Sequence, residues 1–429
     1  MPARLIDSFA TTGALADVFS DEAVVGAMLR FEAALAKAQA RLGIVPQAAA
    51  DAIAGIDGLD GSRFSQEARA SATLAIPFVK KLTARVREVS PEAAGFVHWG
   101  ATSQDVLDTA LVLLLREARA ILAADQARIE GLLRELSDRH SSTVMLARTV
   151  LQPAPPTTFG YKVAGWFGAI HRSWRGLSKA FDEALVLQFG GACGTLAAYG
   201  DGGPELAEAV ARELDLRVPD VPWHAHRDRL AALVAHCGIY SGSLAKVARD
   251  IALLMQAEIG EVSERGGGSS AMPNKRNPAA SVVAMAAAAG VPPLVAGFLA
   301  SMPQEHERAA GGWQSEWPAV AGAVQATGST LAAVVDAIGG LTVNTDRMRA
   351  NLAAQSAVFA EKAVMLLAPR MGRAAAQSLV TSAAAGPSLR DGLAHVLTPE
   401  EFEALERPED YLGAAETFRR RLLEDSECP

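Results

Sequence analysis

From Leu230 onward the chain places Leu233, Cys237, Tyr240, Leu244, Val247, Ile251 and Leu254 at steps that alternate three and four without a miss. A run of that length is the seam of one helix packed along its whole extent. A second seam is Phe159, Val163, Phe167, Ile170, Trp174, Leu177 and Phe181, and a shorter third is Leu107, Leu111, Leu114, Ala118 and Ile121. Long helices with stripes this regular pack side by side as a bundle. No alternating strand pattern of comparable length competes. The spacing predicts an all-α chain, with three helical domains around a long central helix bundle.

Glycine and proline mark the joints. The segment GFVHWGATSQD (Gly95–Asp105) precedes the third seam, Pro153, Pro155 and Pro156 precede Phe159, and Gly339-Gly340 closes the bundle. The expected regions are 1–100, 101–340 and 341–429. Half of the 429 residues are hydrophobic, enough for a large core, while 6% are aromatic, so Ala, Leu and Val must build it. The net charge, 40 − 48 = −8, is spread along the chain and argues against nucleic-acid partners, which need clustered Lys and Arg. Three cysteines without a C-x-x-C pair and an N-terminus without a signal-like apolar run point to the cytoplasm. Pro278 to Pro303 carries no charge and is long enough to span a bilayer. Its Ala-rich composition and its interruption by Gly290, Pro292 and Pro293 favour a helix buried in a soluble bundle. No membrane partner is expected.

Chemistry concentrates in three segments. In GGGSSAMPNKRNP (Gly266–Pro278) three glycines open a loop that carries Ser269 and Ser270. Asn277-Pro278 reads as a helix start, an N-cap with proline at the first helical position. Lys275 and the free N–H groups of that helix then converge on one place that suits an anion, such as a carboxylate or an enolate oxygen. A Gly-rich linker before a capped helix explains the same residues, and the sequence leaves both readings open. In HWGATSQD, Thr102 and Ser103 precede a helix and Asp105 stands three after Thr102, as in a capping box. The same start also offers hydroxyls to a second carboxylate, while His98 alone is more often structural. In ARTVLQPAPPTT, Thr149 and Gln152 either cap the next helix or bind substrate. His224 and His226 lack a third ligand, so they read as structural rather than metal-binding. Arg308 is a carboxylate fork or an ordinary ion pair.

Taken together and in this order, the segments resemble the fumarase/aspartase superfamily. Its signature G-S-S-x-M-P-x-K-x-N is matched at every fixed position by Gly268, Ser269, Ser270, Met272, Pro273, Lys275 and Asn277. The stretches FSDEAVVGAMLRFEAALAKAQA, VHWGATSQDVLDT, LVLQFGGACGTLAA, PWHAHRDRL and MPQEHERAAGGW are most similar to the bacterial 3-carboxy-cis,cis-muconate cycloisomerase branch. The resemblance covers nearly the whole chain and is weakest after Leu341. It implies a homotetramer whose central helices form one bundle, active sites shared between subunits, a small polycarboxylate substrate, and neither metal nor organic cofactor. It further implies that Ser269 is the catalytic acid–base group. Substrate contacts are expected from His98, Thr102, Ser103, Gln104, Thr149, Gln152, Lys275, Asn277 and Arg308. In the cycloisomerase direction a substrate carboxylate adds to the diene and Ser269 protonates the resulting carbanion. Each preorganised donor to its charge is worth about 3–4 kcal/mol.

The sequence departs from the family at one point. Fumarases and adenylosuccinate lyases carry histidine after the threonine of T-x-x-Q, and muconate cycloisomerases typically carry it after the glutamine. Here those positions hold Val150 and Pro153. A departing amine needs a proton, whereas a carboxylate, of pKa near about 4, leaves as a stable anion. The departure disfavours adenylosuccinate-type substrates. It accommodates lactone chemistry, and equally a nitrosuccinate-type lyase that forms fumarate. A non-catalytic scaffold is the remaining alternative, and the retained Ser269, Lys275 and Asn277 argue against it.

Overall fold

The computed structural model describes residues 5–268, 272, 275–386 and 388–424. Helices dominate, as the seams require. The principal ones are α1 (Asp21–Arg41), α2 (Ala75–Val89), α3 (Ser103–Arg139), α4 (Phe159–Ala184), α5 (Asp228–Leu254), α6 (Ala279–Ala289), α7 (Val291–Ser301) and α8 (Gly312–Gly339). Every residue of the α5 seam is buried. So is the α4 seam, apart from half-buried Trp174. In α3 the stripe drifts, leaving Ile121 half-buried and Leu122 buried, because 3.6 residues per turn outruns a strict three-four repeat.

The prolines before α4 do more than break the chain. Residues β1 (Val144–Thr149) and β2 (Gln152–Thr158) form an antiparallel hairpin. Pro153 and Pro156 lie opposite Arg148 and Leu146, and Pro155 is the extra residue of a bulge between those pairs. A two-stranded ribbon has only edges, where a missing N–H costs little. A second short pair joins β3 (Val262–Ser263) to β4 (Thr342–Val343).

The chain divides into two compact units. One comprises Met1–Gln126, Ser173–Leu244 and Val283–Ala332; the other comprises Ala127–Arg172, Ala245–Val282 and Ala333–Pro429. In the first, α1 packs against the Gln47–Ala54 and Gly203–Leu214 helices, with Phe31 fully buried. The second has a core of its own in which Val144 and Leu146 of β1 pack among Leu352, Phe359, Leu367, Leu393 and Phe402.

The charge-free stretch is covered only in part by the chain itself. Gly290 splits it into α6 and α7, and of the most apolar 18-residue window of this 23-residue pair only 28% is buried inside the chain. Only Val291 and Phe298 of α7 are buried, while Val282 and Leu299 are about half exposed. The chain's own core therefore does not cover this surface. By length and composition, 228–254, 279–301 and 312–339 are each apolar enough to cross a membrane.

Candidate active site

The first unit brings His98, Thr102, Ser103, Gln104 and Arg308 together at the start of α3. Thr102 caps that helix in half of a capping box. Its N–H donates to Asp105 Oδ2 at 3.0 Å, but its hydroxyl accepts from Arg308 Nη1 at 2.6 Å instead of from the helix. Arg308 Nη2 donates to Ser103 Oγ at 2.8 Å. One half-buried guanidinium thus bridges two hydroxyls at a helix N-terminus, and that set suits a carboxylate.

Asp105 explains the glycines around residue 190. Fully buried, it also accepts from the N–H groups of Gly190 and Gly191, both at 2.9 Å, and from His224 Nε2 at 2.8 Å. A Cβ on Gly190 would sit 2.8 Å from the His224 ring. His224 is therefore a structural donor, while His226 is exposed. Gln104 also faces inward. It is buried, and its amide donates to the His224 carbonyl at 2.7 Å and to Asp108 Oδ2 at 3.2 Å, so the first turn of α3 aims it into the protein.

Beneath lies a buried ionic cluster. Arg227 reaches Asp108 at 2.7 Å and Glu316 at 2.7 Å, stacks 4.6 Å from the Trp223 ring, and shares Asp108 with the Trp313 indole N–H. Burial pushes the pKa of Glu316 up to about 7 against the pull of Arg227. Full pairing of this kind is what allows charges to remain inside.

His98 occupies the left-handed region, with φ of 56°. Its backbone N–H donates to Glu32 Oε2 at 3.1 Å, and its Nδ1 lies 2.5 Å from Glu32 Oε1. Burial opposes the imidazolium, but the charge and hydrogen bond of Glu32, with a further Coulombic pull from Asp105, raise the His98 pKa above the ordinary histidine value. Glu32 was not singled out by sequence reasoning. Its signal is a carboxylate at a core-facing position of α1, in step with buried Met28 and Leu35. Gly100, at φ 72°, completes the loop: a Cβ there would meet the Tyr199 hydroxyl at 2.3 Å.

The second unit holds Thr149, Gln152, Lys275 and Asn277; Ser269 lies outside the described residues. Thr149 and Gln152 face each other across the last pair of the hairpin, both exposed. Between them Val150 and Leu151 have φ of 52° and 65°. Two consecutive left-handed residues make a mirror-image turn that normally calls for Asn-Gly. Both side chains are exposed, at 94% and 76%.

The helix start after the glycine loop differs from the expected anion site. Glu264, only 2% exposed, accepts the N–H groups of Ala280 at 2.9 Å and Ser281 at 3.1 Å, as well as the Ser281 hydroxyl. The anion at the α6 N-terminus is the protein's own. Asn277 sits two residues before α6, its N–H donating to the Gly267 carbonyl at 2.7 Å, and Lys275 is exposed. Gly267 has φ of 74°, and a Cβ on it would fall 1.9 Å from the Asn277 oxygen. Closure of the loop base therefore requires glycine.

The family model described as lyase matches residues 8–292. The chain is 42% identical to the 3-carboxy-cis,cis-muconate cycloisomerase of Bradyrhizobium diazoefficiens over 99% of this chain and 98% of that one. It is 39% identical to the nitrosuccinate lyase of Streptomyces davaonensis, over 92% and 89%. The crystal structure of the 3-carboxy-cis,cis-muconate lactonizing enzyme of Pseudomonas putida superposes with a TM-score of 0.93 at 39% identity, covering 99% of each chain.

Proposed function

The chain belongs to this lyase family within the fumarase/aspartase superfamily, and on that premise we propose that it is a 3-carboxy-cis,cis-muconate cycloisomerase. Agreement with such enzymes over practically the full length of both partners carries the reading. The substrate brings its own nucleophile, a carboxylate that adds to the adjacent diene. The electron pair displaced onto the next carbon is delocalised into a neighbouring carboxylate, and protonation of that carbon gives 4-carboxymuconolactone. No metal or organic cofactor is required.

The residues have fitting roles. Arg308, Thr102 and Ser103 hold a carboxylate, and the charge-assisted bonds of the guanidinium favour the intermediate as its negative charge grows. Lys275 and Asn277 supply further donors, and Thr149 and Gln152 add polar contacts. Ser269 is the acid–base group at the carbon, as its place in the signature implies. Uncovered apolar surface on α6 and α7 fits burial against further copies of the chain, as in the homotetramer with shared active sites that the family resemblance implies; the cytoplasm is the compartment expected for such a catabolic enzyme.

The test is a time course with 3-carboxy-cis,cis-muconate, following loss of diene absorbance and identifying the product by NMR. Conversion to 4-carboxymuconolactone is expected. A second reading, elimination of a stable anion from a substituted succinate, is supported by the 39% identity to a nitrosuccinate lyase, and Val150 and Pro153 accommodate it as they do lactone chemistry. Nitrite and fumarate release from nitrosuccinate, without lactone formation, would replace the first reading with the second.

A further inference from the structure

Carboxylate addition consumes one proton overall. A C–O bond forms at one alkene carbon, the π pair moves through the next carbon into its carboxylate, and the resulting enediolate ends as C–H. We propose that His98 delivers this proton from Nε2 to the enediolate oxygen, with Glu32 as the residue that positions it. The inference rests on the cycloisomerase reading. In the step the Nε2–H bond breaks and an O–H bond forms. The acid–base group at the carbon then moves that proton from oxygen to carbon, and the neutral imidazole regains one from solvent.

Three observations carry it. First, Glu32 holds Nδ1 at 2.5 Å and the His98 backbone N–H at 3.1 Å, which fixes the ring and leaves Nε2 with no hydrogen bond among the described residues. The side chain remains 16% exposed, so water can recharge it. Second, His98 lies four residues before Thr102, in the unit where Thr102, Ser103 and Arg308 form their carboxylate-binding set. Third, the two positions where the family places histidine hold Val150 and Pro153, neither of which carries a proton. Glu32 from α1 is bonded to the ring, and Asp105 from α3 adds a Coulombic pull without bonding to it; both carboxylates favour imidazolium. Tyr199 and Gln39 hold the same loop through the Trp99 carbonyl. A ground-state carboxylate, with a pKa near about 4, does not take a proton from imidazolium. The enediolate is far more basic and does, so the transfer acts only where it accelerates the reaction.

The left-handed backbone selects the variants, since Gly and Asn adopt it readily. His98→Gly and His98→Asn are each expected to lose turnover by about 10²–10⁴-fold. Imidazole in the buffer should restore part of it in His98→Gly only. Wild-type kcat should fall as pH rises through the His98 pKa, and Glu32→Gln should move that limb to lower pH. An active His98→Asn with an unchanged alkaline limb, or with only a raised KM, overturns the inference alone. Absence of cycloisomerase turnover in the wild type overturns the functional reading, and this inference with it.

Discussion

Arg308 donates to the Ser103 hydroxyl at 2.8 Å across 205 residues of sequence, and the same guanidinium holds Thr102. Lysine carries the charge but cannot bridge both hydroxyls. Arg308→Lys is expected to lower kcat/KM about 10- to 100-fold, the worth of one hydrogen bond to a charged group. Arg308→Ala should lose more, with little change in the urea midpoint of either variant. Steady-state kinetics beside urea unfolding checks both statements.

Gly267→Ala places a methyl carbon where the Asn277 carbonyl stands. The backbone must open, displacing Asn277 and Lys275 from the loop base. We expect kcat to fall at least about tenfold, while the thermal midpoint moves little because Gly267 packs no apolar surface. Full activity would show that the loop base does not set the site.

Glu264→Ala removes the acceptor of two helix N–H groups. A lost cap costs about 0.5–2 kcal/mol, and a buried orphan donor adds to it. An unfolding free energy lower by about 1–3 kcal/mol is expected, with Glu264→Gln between the variant and the wild type. Urea titration of the three proteins decides it.

Glu316 gives a pH dependence of known sign. Burial raises its folded pKa to about 7, above the ordinary carboxylate value, so the folded state binds its proton more tightly. The stability it contributes is complete below the ordinary value and is lost as pH rises through 7. The wild type should therefore resist urea better at pH 5 than at pH 8, and Glu316→Gln should narrow that difference. An undiminished difference in the variant would assign it to other groups.

What could be read from sequence follows the range of the forces involved. The seams of α3, α4 and α5 are local patterns, and burial followed them closely. The hairpin was not legible, because prolines at 153, 155 and 156 look like breakers unless the partner strand and its bulge are known. In the site, the hydroxyls of Thr102 and Ser103 and the arginine at 308 were visible as residue types, whereas their pairing crosses two hundred positions. Gln104 looked like a ligand contact, yet one turn of helix directs it inward. Glu264 was hidden because its partners lie sixteen and seventeen residues away, beyond any capping motif.

Asp105 also bears on the order in which the protein assembles. Its carboxylate caps its own helix locally through Thr102, but its remaining donors come from Gly190, Gly191 and His224, 85 to 119 positions downstream. Before those segments arrive, the capped helix start is an ordinary solvated turn. In the folded protein one side chain therefore ties three stretches of chain together. The polar centre of the first unit is complete only when both distant loops are closed, and the entropy of closing them counts against it.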